Sequence, residues 1–401
     1  MIKAWEFDFN QVPGKAIPNY EDQDLVQKAF DHNMELMESL EARGFEGVFY
    51  SEHHFVGSMS PCPNLLVAAL AAKTETLKIG VMGNVLAFHQ PWRIAEELAM
   101  LDYLTGGRHE VGVASGVPPE FEFVNIPQEN IRPMYKEVLE YLEHAREQKF
   151  VTLKGDHFDF DMVPSMPRPR KEDRRRHWVT YYSADTCRDA AKRDFKIVTG
   201  YQSCESAAKG AAAYYEEAEK LGRKVGPDDI GLRRQILIWD TQSEAEAMFA
   251  ENAELARARM DAMFQDVFTR LQAKGVGPSD DVLESGVMDA ASVTRKLPKD
   301  TAAEEDKGVV ASSLVGEDGK PIASASKALD SFISEDEYIT GSPESVAEQI
   351  IDQCRRLGCG NILGYHAASL DENQIRHNYD LWEKVIPVLH KADVLGEAVS
   401  A

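Results

Sequence analysis

Short apolar runs alternate with longer amphipathic stretches along most of the chain, and the order of the two predicts the fold. Residues 2–9 carry Trp5, Phe7 and Phe9 at every second position and read as a first strand. After a polar loop, Met34, Met37 and Leu40 recur at helical spacing over 33–43, and Gly44 stands where a C-terminal cap belongs. Residues 47–55 (GVFYSEHHF) begin as an apolar run suited to a strand buried on both faces. They end in a cluster of titratable and aromatic groups. The alternation continues with a helix over 65–73, a strand over 77–86, a helix opened by Pro91 and ended by Gly106-Gly107, and a strand over 109–115. A helix over 133–149 precedes an irregular, Pro-rich and basic segment from 156 to 176. Strands over 177–183, 196–200 and 230–239 then alternate with helices over 185–194, 205–222 and 243–274. Residues 275–337 break the pattern: they are rich in Asp, Ser, Ala, Gly and Lys with weak periodicity, and are expected to form an insertion acting as a lid or a subunit contact. A helix from 343 to 357, a strand over 361–366 and a helix over 371–391 complete the order.

Eight strands with intervening helices predict a parallel sheet, best closed as one (β/α)8 TIM barrel over 1–401 with the insertion between strands seven and eight. The competing architecture is a doubly wound open sheet. It would favour a Gly-x-Gly-x-x-Gly loop after the first strand, and the chain has none there.

In such a barrel the chemistry sits at the C-terminal strand ends. Strand two brings Glu52, His53, His54 and Phe55 there, strand three Asn84 and the following His89, strand four Ser115-Gly116, strand five Ser183 and Thr186, and strand eight His366. Adjacent strand residues point to opposite faces, so His53 and His54 do not form a ready metal pair, and no metal site is expected. Ser183 and Thr186 open a helix, where they serve either as plain caps or, with the free backbone N–H groups, as an anion site. Arg233 and Arg234 lie side by side on strand seven, and the sequence leaves open which one faces inward.

Composition narrows the class of function. With 43% hydrophobic and 28% charged residues the chain can bury a sizeable core, and a net charge of −23 argues against nucleic acid or an anionic membrane as partner. There is no long apolar run and no signal-peptide pattern, and five scattered cysteines lack any Cys-x-x-Cys. A cytoplasmic protein with reduced thiols is the expectation.

Several stretches together carry a family resemblance: Glu52-His53-His54-Phe55, residues 77–86 (LKIGVMGNVL), residues 89–97 (HQPWRIAEE), Leu101-Asp102, residues 107–113 (GRHEVGV) and Gly341-Ser342-Pro343-Glu344. In order and spacing they resemble the bacterial luciferase-like flavin-dependent monooxygenases, over nearly all of the chain except the insertion. The resemblance implies a TIM barrel, usually dimeric, binding reduced FMN or, in some branches, the deazaflavin F420. It places His53 at the catalytic histidine of the luciferases, with Glu52 a candidate to orient it. Met82-Gly83 falls where the family often has a non-prolyl cis peptide against the flavin, beside Asn84, and Ser183 and Thr186 fall where the flavin phosphate is held. Ser115 stands where luciferase has a phosphate-gripping arginine, a departure that leaves the basic segment 168–176 as the alternative source of charge.

The activity so implied is a two-component monooxygenase. A separate NAD(P)H-dependent flavin reductase would supply FMNH2, and O2 would react through a peroxyflavin with a small aldehyde, ketone or similar substrate in a mouth lined by Phe7, Phe9, Phe55, Met82 and His366. An F420-dependent hydride transferase and a non-catalytic flavin-binding subunit are the alternatives, and a homodimer is expected.

Overall fold

In the computed structural model, residues 1–14, 16, 18–55, 58–170, 176–273, 335–366 and 369–394 are described. Eight parallel strands close into a barrel: β1 (Lys3–Asp8), β2 (Gly47–Tyr50), β3 (Lys78–Val85), β4 (His109–Ala114), β7 (Trp178–Tyr181), β8 (Lys196–Thr199), β9 (Ile230–Ile238) and β11 (Asn361–Tyr365). Closure is made by β8 on β9, with Ile197 beside Ile230, and by β11 on β1, with Trp5 beside Leu363. All eight expected strands are present in the expected order, and the TIM barrel stands.

The helices α1 (Gln23–Ser39), α2 (Pro63–Ala71), α3 (Pro91–Leu104), α5 (Gln128–Glu147), α6 (Ala184–Arg193), α7 (Cys204–Lys220), α8 (Gln242–Ala273), α9 (Pro343–Leu357) and α10 (Glu372–Lys391) follow the strands, and a short α4 (Pro118–Phe123) follows β4. Helix α1 begins ten residues before the expected start. Asp22 caps it by accepting from the Asp24 and Leu25 N–H groups, and its inner face buries His32 and Asn33, polar residues that hide the helical pattern. An antiparallel hairpin forms, β5 (Phe150–Lys154) with β6 (Asp159–Pro164), and its second strand lies in the segment expected to be irregular. Its turn is held by Glu137 of α5, whose carboxylate accepts from the Asp156, His157 and Phe158 N–H groups. The expected insertion at 275–337 lies outside the described residues apart from 335–337, as do residues 171–175 of the basic segment.

β10 (Tyr338–Gly341) lies against the second half of β9, where Tyr338 pairs with Gln235 just as β11 runs out at Tyr365. The barrel lumen is packed by Trp5, Phe7, Phe49, Met82, Trp178, Val198 and Leu363. Trp5 stacks on Phe49 at 5.0 Å, and the indole N–H groups of Trp5 and Trp178 donate to Asn361 and Glu110. That plug fills the interior below the C-terminal strand ends and confines any cleft to that rim. Gly47 is required beneath it, because a Cβ there would meet the Trp5 ring at 2.4 Å. Outside the barrel wall a larger core, including Val48, Ile79, Ile94, Leu142, Ile350, Trp382 and Ile386, joins strands to helices.

Candidate active site

β1 alternates as its sequence suggests: Trp5, Phe7 and Phe9 face the lumen, while Glu6 and Asp8 face the helices. At the rim Phe9 stacks on the His53 imidazole, with centroids 6.0 Å apart and planes 18° apart, and meets Tyr365 edge-on at 5.8 Å. His53 is partly exposed, and its Nδ1 donates to Oε1 of Glu120 at 2.9 Å. Glu120, from α4, is fully buried, and its other oxygen has no partner among the described residues. A carboxylate only accepts, so it places the imidazole proton on Nδ1 and leaves Nε2 as the proton acceptor.

The carboxylate that orients His53 is therefore Glu120, not Glu52. β2 ends at Tyr50, and the extended tail beyond it turns Glu52 toward β3. Glu52 is 4% exposed and accepts from His54 Nε2 at 3.1 Å, His89 Nε2 at 3.1 Å and the Val85 N–H at 2.9 Å. Burial alone would raise its pKa; the hydrogen bonds from His54 and His89, the charge of His89 and the Val85 N–H outweigh burial and hold it at about 2. Burial in turn opposes a charge on His89, and the bond to Glu52 reverses that effect and raises its pKa. His54 also meets Phe88 edge-on at 4.8 Å and Phe55 at 5.7 Å. Phe55 is half-exposed and rests on Phe123 at the end of α4.

Met82 lies in the lumen cluster directly under the rim, and the Met82–Gly83 peptide is cis. A Cβ on Gly83 would meet the Val113 backbone at 2.7 Å, so β3 and β4 approach each other here as only glycine allows. Asn84 donates to Gly112 O at 2.9 Å, and its Oδ1 is buried with no partner among the described residues. Ser115 follows β4, partly exposed. Ser183 caps α6 by accepting from the Thr186 N–H, and the two hydroxyls lie 3.1 Å apart.

His366 does not join this group. Tyr365 faces the lumen, so the next residue turns outward, and its Nδ1 sits 3.5 Å from Glu6 Oε1 and 3.3 Å from the Tyr379 hydroxyl of α10. Around it burial pushes Glu6 well above the usual carboxylate range and Asp8 up to about 6. Its expected place in a substrate mouth is corrected to this shell between barrel and helices.

The residues that went unseen in the sequence are Glu120, in a Pro-Pro-Glu-Phe-Glu-Phe run that carries no motif, and Tyr201 with Tyr365, which continue the aromatic rim at 6.3 Å from each other. Fitting a flat aromatic cofactor needs an apolar wall, polar groups for its heteroatoms and a place for a phosphate. The rim offers Met82, Phe7 and Phe9 as wall, the Asn84 oxygen as an orphaned acceptor, and the Ser183–Thr186 hydroxyl pair at the start of α6.

Sequence comparison states the family to which this barrel and its rim belong. The chain belongs to the luciferase-like monooxygenase family, whose model matches residues 14–359. Among curated relatives it is 24% identical over 244 residues to the alkanal monooxygenase beta chain of Photorhabdus luminescens, covering 60% of this chain and 72% of that one. It is 25% identical to the oxygenase component of the flavin-dependent trigonelline monooxygenase of Acinetobacter baylyi, covering 56% and 64%. In fold it is similar to the monooxygenase RslO1 of Streptomyces bottropensis, with a TM-score of 0.71 at 19% identity over 96% of this chain and 99% of that one. The oxygenating constituent of 3,6-diketocamphane monooxygenase from Pseudomonas putida, solved with FMN, has a TM-score of 0.65 at 17% identity over 98% and 99%. An F420-dependent secondary alcohol dehydrogenase has a TM-score of 0.64 at 14% identity over 97% and 99%. Among the described residues no helix is long and apolar enough to cross a membrane.

Proposed function

We propose that this chain is the oxygenase component of a two-component system, taking reduced FMN from a separate NAD(P)H-dependent reductase and using O2 to oxygenate a small organic substrate. The observation that carries this reading is the His53–Glu120 pair, stacked on Phe9 at the C-terminal rim of a plugged barrel. Bound reduced flavin would supply the electrons that activate oxygen. Met82 and Gly83 would form its wall, Asn84 would accept from its ring, and Ser183 and Thr186 would hold its phosphate. Ser115 lies at the neighbouring strand end and adds a hydroxyl rather than a charge. His53 would accept or return a proton at Nε2 while Glu120 holds the ring at Nδ1 and stabilises its charged form. Phe7, Phe9 and Phe55 would exclude water during the reaction. Glu52 would hold His54 and His89, and thereby the wall beside His53, without touching the reacting atoms. The working form would be a cytoplasmic homodimer, which light scattering on the purified protein checks.

The test is oxygen consumption and product formation with FMN, a flavin reductase and NADH, against controls lacking each. His53→Ala is expected to keep its FMNH2 affinity while losing about 10²- to 10⁴-fold in turnover, the usual worth of a positioned general acid–base group. Full turnover in that variant removes His53 from the role. The likeness to an F420-dependent enzyme keeps a second reading, hydride transfer with F420. Anaerobic titration decides between them, since tighter binding of reduced F420 than of FMNH2 would replace the oxygenase reading.

A further inference from the structure

Of the two adjacent arginines on β9, Arg234 faces the helices and Arg233 turns inward, against the rings of Phe7, Tyr201 and Tyr365. All three nitrogens of the Arg234 guanidinium are paired: it donates to Gln353 at 2.7 Å, to the Arg233 carbonyl at 2.9 Å, to Glu337 Oε1 at 3.3 Å and to Cys204 Sγ at 3.4 Å. Glu337 also accepts from the Gln202 N–H, so its bonded oxygen is committed to the outer side of the wall.

Arg233 has a different environment. Only 7% exposed, its guanidinium lies 3.8 Å from the Tyr201 ring centroid, 5.4 Å from Phe7 and 6.0 Å from Tyr365. Those rings are near enough to stabilise a cation, but they leave its N–H groups unbonded. Nε and Nη2 are both buried and without a hydrogen-bond partner among the described residues, and no carboxylate there comes within ion-pairing distance. Burial opposes the charge, but a guanidinium keeps its proton even so. A buried cation with two idle donors on one edge is costly unless a ligand completes it. The Nε–Nη2 edge is the side of the fork that takes a planar oxyanion with two parallel bonds, a geometry that a carboxylate matches.

We propose that Arg233 is the specificity-determining residue of this site, holding the carboxylate of a substrate whose body is apolar and ring-bearing. The inference rests on the mouth being the reaction site. The same rings that flank Arg233 lead to His53: Tyr201 meets Tyr365, Tyr365 meets Phe9, and Phe9 stacks on the imidazole. A carboxylate anchored at Arg233 therefore directs the far end of its ring along the aromatic wall toward the proton-transfer group.

The test uses the full chain without flavin, and two isosteric probes, benzoate and benzamide, in calorimetric titrations. Wild type is expected to bind benzoate at least about tenfold more tightly than benzamide, the worth of a charge-assisted bidentate contact. Arg233→Met is expected to abolish that preference, and Arg233→Lys to keep part of it as a single point charge. Equal affinity for the two probes in wild type overturns the proposal without any variant, which matters if Arg233→Met fails to fold. It is equally overturned if Arg233→Met keeps the benzoate preference but loses FMNH2 affinity, because the edge would then serve the flavin. Failure of the monooxygenase reading is separate: no oxygen consumption with a reductase present, while the benzoate preference stands.

Discussion

His53 and His54 are neighbours with unrelated duties, and a single carboxylate decides each. Glu120 holds the imidazole at the rim, and Glu52 ties His54 and His89 to the start of the next turn. Glu120→Gln should leave the fold intact and lower turnover by about tenfold or more, because an amide can present its N–H to Nδ1 and favour the wrong tautomer. Steady-state rates with FMN and reductase check it, and an unchanged kcat would sink the pairing as a functional one. Glu52→Gln should instead cost stability, on the order of 3 kcal/mol, matching a pKa drawn down from 4.5 to about 2. Neither carboxylate's partner was legible in the chain. Glu120 is remote from His53 in sequence and sits in a run without a motif, while Glu52 sits beside His53 and looks like its partner until the strand ends. Likewise, alternation states that Arg233 and Arg234 face opposite ways but not which faces inward. Packing settles that, through Gln353 and Glu337 on one side and the aromatic rings on the other.

At the scale of elements the strands were legible because a parallel strand buried on both faces reads as an unbroken apolar run between turn signals. The hairpin of β5 and β6 was not, since β6 leaves most of its side chains exposed without alternating and the turn is organised by Glu137 from another element. The seam between β3 and β4 shows what glycine contributes to a site wall. Gly83→Ala would drive a methyl into the Val113 backbone, which has no flexible end to move aside. The expected cost is about 1–3 kcal/mol or more, together with weakened FMNH2 binding. Urea denaturation and flavin titration measure the two effects, and a variant with wild-type stability would show that the strands can part.

For the whole molecule, two sets of buried carboxylates pull stability in opposite directions with pH. Glu52 has its folded pKa depressed, so its contribution is present above about 4.5 and is lost as pH falls toward 2. Asp8 has its folded pKa raised from 3.8 to about 6, chiefly by burial and secondarily by Glu6, against the Asn10 N–H and His366. Its contribution is complete below about 3.8 and is lost as pH rises through 6. For these two groups together stability is greatest where the windows meet, at about pH 4–5, and falls on either side. Asp8→Asn keeps the acceptor for the Asn10 N–H and should stabilise the protein by up to about 3 kcal/mol at pH 8, with little change near pH 4. Urea midpoints of both proteins at the two pH values decide it, and parallel pH profiles would sink the assignment.

One consequence concerns how this chain can change length. β9 runs past the barrel and is met there by β10, with the Trp239 N–H bonded to the Gly341 carbonyl. The polypeptide that departs after β9 thus comes back to the very strand it left, and main-chain bonds clamp both ends whatever is spliced between them. Lengthening a loop whose ends are already joined costs only about 0.6 kcal/mol per doubling. The β9–β10 seam is accordingly the place where a change in chain length is expected to disturb the eight strands least.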